Sequence, residues 1–120
     1  MLYSNKDGMT IESLTPDIQT IVRRALAFVS TTRRLDDDFE TRLGVGRGVL
    51  AEILMRWPAV DDRDDHSPTV AAINNALNEV ANGFDLSTEE WRQLGATRAE
   101  VESAYLQWTT SRGWQSTGLR

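Results

Sequence analysis

Leu86 to Trp108 reads LSTEEWRQLGATRAEVESAYLQW, and these residues decide the class of fold. Ser87 and Glu90 stand in the S-x-x-E order of a capping box, in which a hydroxyl and a carboxylate close two backbone N–H groups that a helix start leaves open. Leu86 and Trp91 occupy the flanking positions of a hydrophobic staple. Gly95 stops the helix so opened, because glycine enters left-handed backbone without a steric penalty. Thr97 and Glu100 then form a second box, and Val101, Ala104, Tyr105 and Trp108 follow at the three-and-four spacing of one helical face. The stretch spells helix, glycine corner, helix.

The same signals recur on the N-terminal side. Thr15 is placed as an N-cap with Pro16 and Asp17 behind it, and apolar residues at 18, 21, 22, 25, 26 and 29 predict a helix running to Arg34. Asp36, Asp37 and Asp38 precede Phe39 and Leu43, which predicts a short helix ended by Gly44. Val49, Leu50, Ile53, Leu54 and Trp57 fall on one side of a third helix from Arg47, and Pro58 stops it. Ser67 and Pro68 repeat the first start signal, and Val70, Ile73, Leu77 and Val80 stripe a fourth helix that Asn82 and Gly83 close. No segment alternates with the period of a strand, so the expected fold is all-α, a compact bundle of about six helices.

Leu43–Trp57 and Leu94–Trp108 match at a constant offset of 51 residues, with Leu, Gly, Arg and Trp coinciding at 43/94, 44/95, 47/98 and 57/108. This suggests two pseudo-repeated three-helix halves, 15–57 and 68–113, joined by an acidic loop at 58–67. Two capped helix pairs would share these signals without any duplication. With or without a duplication, the match predicts Trp57 and Trp108 half-buried at equivalent helix ends. Residues 1–14 have no period and read as a flexible N-terminal arm, and 114–120 as a C-terminal tail.

The chain has 120 residues with 13 Lys and Arg against 18 Asp and Glu, a net charge of -5, and no cysteine. One domain is expected, without disulfides, thiol catalysis or thiolate metal sites. A phosphate-seeking surface is not the default for such a charge. Neither a signal-peptide pattern nor a membrane-length apolar run is present, which points to the cytoplasm.

Phe39, Leu43, Gly44, Val45, Leu50 and Ile53 fall where the helix-turn-helix motif of DNA-binding proteins places its apolar and glycine positions, and the segment resembles that motif. The resemblance implies that the third helix is a recognition helix. Glu40 departs from it, standing where the motif has a small residue. The cations available for phosphate would be Arg33, Arg34, Arg42 and Arg47, diluted by Glu52, Glu100 and Glu102 on the relevant helix faces.

Residues 58–68, PAVDDRDDHSP, gather Asp61, Asp62, Asp64 and Asp65 beside the lone His66. The glycine and terminal glutamate of a calcium loop are missing at the required spacing, so no metal is expected, and a local negative field that steers a basic protein is the more useful property. Asn74, Asn75, Asn78 and Asn82 form a polar face opposite Ile73, Leu77 and Val80. Their amides either cap neighbouring helix ends or extend the loop as a recognition strip through Asn74, Asn75 and Asn78.

No nucleophile, phosphate loop or environment-split carboxylate pair is visible, and neither catalysis nor a cofactor is expected. The expected function is a non-catalytic protein-binding module, in its most concrete form an acidic immunity- or antitoxin-like inhibitor of a basic partner. The alternatives are a helix-turn-helix nucleic-acid binder and a structural or adaptor subunit, the latter requiring an apolar patch at Trp57, Trp108 or Trp114.

Overall fold

A computed structural model describes residues 10–114. Among them it is all helical, with α1 at Pro16–Thr31, α2 at Phe39–Leu43, α3 at Arg47–Arg56, α4 at Pro68–Asn78, α5 at Thr88–Leu94 and α6 at Arg98–Ser111. Helix α1 is the central element, packed against α3, α4, α5 and α6, while α4 also meets α2, α3 and α6. This arrangement follows from the sequence. The α1 stripe buries Ile18, Val22, Ala25, Leu26 and Val29, and the α4 stripe buries Val70, Ile73 and Leu77, giving two apolar faces around which the other helices close.

The starts are made by the expected caps. Thr15 and Ser67 accept from the N–H groups of Ile18 and Val70 at 3.3 and 3.2 Å. Both capping boxes close: Glu90 and Glu100 donate their N–H to Ser87 and Thr97 at 3.1 Å, and their carboxylates accept the return bonds at 2.9 Å. Gly44 and Gly95 take left-handed conformations, φ 79° and 86°, and turn the chain between α2 and α3 and between α5 and α6.

Several details differ from expectation. Helix α1 stops at Thr31, because Ser30 and Thr31 bond back to carbonyls of their own helix and Thr32 caps a separate 3-10 turn, Arg33–Leu35, that buries Leu35. Residues 10–14 are not a loose arm: Ile11 is fully buried in a 3-10 turn, Ile11–Ser13. The rest of the proposed arm, 1–9, and the tail beyond Trp114 lie outside the described residues. Val49 leaves the buried side of α3, whose stripe is Leu50 and Ile53, with Leu54 and Trp57 partly covered.

Helix α4 ends differently from its prediction. It widens into a π turn, Glu79–Gly83, in which the Phe84 N–H bonds the Glu79 carbonyl at 2.7 Å. Gly83 does not take a left-handed conformation there, and a Cβ at this position would require the Glu79 carboxylate to shift.

The two glycine corners share their local geometry, with Leu43 and Leu94, Val45 and Ala96, and Leu50 and Val101 all buried at matching positions. The two tryptophans are not equivalent. Trp57 is half-buried just past the end of α3, whereas Trp108 is fully buried inside α6. The corners repeat; a duplication of the halves is not established by them.

Candidate functional site

The acidic loop is divided by Arg112. Its guanidinium is fully buried at the end of α6, with Nε 2.7 Å and Nη2 2.6 Å from Asp65 Oδ1, and Nη2 also donates to the Asp62 carbonyl at 2.6 Å. Asp65 Oδ2 accepts from the Trp114 indole at 3.1 Å. Asp62 is fully buried too; its Oδ2 accepts the Ile11 N–H at 2.8 Å and lies 3.4 Å from Arg112 Nη1, while Oδ1 has no partner. Trp108 and Trp114 cover the guanidinium at 4.7 and 5.8 Å and meet edge to face. The loop carboxylates expected to face a partner are thus half structural: Asp62 and Asp65 fasten both ends of the described chain to the loop. Burial pushes the Asp62 carboxyl up from its ordinary value, opposed by the Ile11 N–H and Arg112.

Asp61 and Asp64 remain exposed, the latter accepting the His66 N–H at 2.9 Å. They do not stand alone. Between α3 and the loop runs a groove of about 610 Å3, with Val49, Ile53 and Val60 on its walls and Glu12, Glu52 and Asp61 at its rim. Arg56 and Arg63 border it as well. Met55, elsewhere on α3 and outside the groove, is 85% exposed. Val49 is the signal missed in the sequence: an apolar residue flanking the buried stripe rather than within it.

The asparagine face is mostly structural. Asn75 donates to the Leu43 carbonyl at 2.9 Å, closing the end of α2 at its glycine corner, and Asn74 accepts from the Tyr105 hydroxyl at 3.1 Å. Asn78 is exposed and accepts from Asn82 at 3.0 Å.

Three of the four arginines of the nucleic-acid alternative are hydrogen-bonded to carboxylates. Arg34 makes a two-point contact with Glu90 at 2.7 and 2.6 Å and reaches the Asp85 carbonyl, which raises its own pKa and holds the Glu90 carboxyl down at about 2. Arg42 pairs with Glu79 through both ends of its fork, and that bond raises its pKa likewise. Arg47 bonds Asp36 and the Ser30 carbonyl and stacks over Phe39 at 4.2 Å. Arg33 is the least committed, 3.7 Å from Asp36 and almost fully exposed. Asp36 therefore serves ion pairs rather than the start of α2.

Trp57, Trp108 and Trp114 form no exposed apolar patch; Trp108 is fully buried and the others are half-buried. Among the described residues no group of His, Asp or Glu is placed to hold a metal ion, and no helix is long and apolar enough to cross a membrane. No protein-family model matches the chain, and no match was found among curated proteins or solved structures.

Proposed function

We propose that the chain is a non-catalytic protein-binding module of the cytoplasm, an acidic inhibitor of the immunity or antitoxin kind that covers a basic surface of its partner. The contact is the face formed by α3 and residues 58–67. One observation carries this reading: the exposed apolar Val49 lines a groove together with Ile53, Val60 and the carboxylates of Glu12, Glu52 and Asp61. Apolar side chains supply contact area, and a carboxylate rim speeds encounter with a basic surface and fixes its register. The buried Arg112 cluster behind the loop supports the reading, because a loop already fixed loses less freedom on binding. Arg56 and Arg63 at the same rim mean that the partner is chosen by pattern rather than by charge alone. The nucleic-acid reading draws no support from arginines that carboxylates already occupy.

The test is a comparative capture from the native host using the intact chain and a Glu52→Lys/Asp61→Lys/Asp64→Lys variant. A basic protein retained by the first and lost by the second supports the proposal. Equal capture by both removes this face as the contact.

A further inference from the structure

A second groove, of about 840 Å3, lies between α1 and α5, and it has the opposite charge. Four guanidinium groups line it, Arg23, Arg24, Arg33 and Arg34, against the single carboxylate of Glu90. In a chain of net charge -5 this local excess of cations runs against the composition. Arg34 is neutralised by Glu90, and it serves to fix the wall. Arg24 is held in place by the Gly95 carbonyl, a neutral partner that leaves its charge and most of its donors open to the groove. Arg23 and Arg33 are exposed, and Arg33 has only the distant Asp36 beside it.

The cations are not spread evenly. They form one pair at each end, Arg23 with Arg24 and Arg33 with Arg34, and between them the lining is Ala27, Phe28, Thr31 and Leu94. At about 1.5 Å of rise per residue Arg24 lies roughly 10 Å from the end of α1 at Thr31, and Arg33 stands beyond that end on the 3-10 turn, so the gap exceeds roughly 10 Å. An extended chain advances about 3.3 Å per residue, so about four residues span that gap. A single phosphate is far too small to meet both ends. Duplex nucleic acid carries a charge about every 3.4 Å along each strand, and the middle of this groove offers no cation to answer it.

We infer that this groove binds an extended acidic peptide segment of a partner protein, with carboxylates at both ends of a short, weakly polar middle. Arg23 and Arg24 take the carboxylate at one end and Arg33 takes it at the other, Phe28 and Leu94 form the floor beneath the middle, and the Thr31 hydroxyl and Gln93 amide line the groove where a peptide backbone would pass. The molecule then carries two faces of opposite preference, the groove at α1 and α5 and the carboxylate-rimmed face at α3.

Fluorescence anisotropy with the full chain tests this, using a labelled peptide that has two glutamates at each end and four alanine or leucine residues between. The expected result is saturable binding at low salt that weakens as salt rises, and that falls by about tenfold or more in an Arg23→Ala/Arg33→Ala variant with an unchanged melting temperature. A second variant, Arg23→Glu/Arg33→Glu, is expected to abolish it. Absence of binding, equal binding by the variants, equal binding of the peptide with glutamine in place of glutamate, or displacement of the peptide by a single-stranded oligonucleotide at lower concentration than by unlabelled peptide overturns the inference.

Discussion

Arg112 and Asp65 form the inner tie of the molecule: Nε and Nη2 converge on one carboxylate oxygen at 2.7 and 2.6 Å, and the guanidinium has no exposure to solvent. Asp62 is the second carboxylate on the same cation, held less closely and with one oxygen unpartnered. The two aspartates should therefore respond differently to loss of charge. Asp65→Ala leaves a buried cation without its main partner and is expected to cost about 3–5 kcal/mol in urea unfolding. Asp62→Asn keeps an acceptor for the Ile11 N–H, so it is expected to cost about 1 kcal/mol or less. Equal losses would mean that the cation is shared evenly.

The pH dependence of stability has two opposed contributions. Asp62 holds its proton more tightly when folded, so between its ordinary and raised pKa the folded chain binds more protons and loses stability as pH rises. Glu90, lowered from 4.5 to about 2, stabilises the fold above pH 4.5, and that contribution disappears as pH falls towards 2. Glutamine can still serve as the third residue of a capping box, so Glu90→Gln isolates the charge. The gap in melting temperature between wild type and Glu90→Gln is expected at neutral pH and should close near pH 2. The gap for Asp62→Asn should move the other way, shifting in favour of the variant as pH rises.

Gly44 and Gly48 stand four residues apart and predict opposite outcomes with alanine. At φ 79° and with the Asn75 amide 3.1 Å from an added Cβ, Gly44→Ala should destabilise by about 1–2 kcal/mol. Gly48 lies in α3 with open space around it, and Gly48→Ala should stabilise by about 0.5 kcal/mol. Thermal unfolding of the two variants checks both signs.

Asn75→Ala removes the partner of the Leu43 carbonyl and should cost about 1–3 kcal/mol while leaving partner affinity unchanged once folding is allowed for. Asn78→Ala should change stability by no more than about 0.5 kcal/mol. A large loss of partner binding in either variant at unchanged stability would return the asparagine face to the contact surface.

Much of this fold could be read along the chain, and the reason is local. A cap and its N–H are three residues apart, as in Ser87 and Glu90, and a left-handed glycine such as Gly95 stops a helix wherever it stands. The site was legible only in part. The pairing of Asp62 with Arg112 spans 50 residues and leaves no periodic trace, so four aspartates in a polar loop looked equivalent when two of them point inward. Trp108 continues the stripe from Val101 and Ala104, and it is buried because α6 packs on both α1 and α4; equating it with Trp57 obscured that. Val49 was misplaced because a stripe counted at neighbouring positions reads wider than the face a partner helix covers.

The α3 face with Glu52, Asp61 and Asp64 is proposed to bind a basic protein. Calorimetric titration of the purified partner into wild-type chain and into the Glu52→Lys/Asp61→Lys/Asp64→Lys variant, at matched thermal stability and two salt concentrations, addresses it most directly. Salt-sensitive binding to the wild type and at least about a hundredfold loss in the variant are expected. Unchanged affinity and unchanged salt dependence in the variant would contradict it.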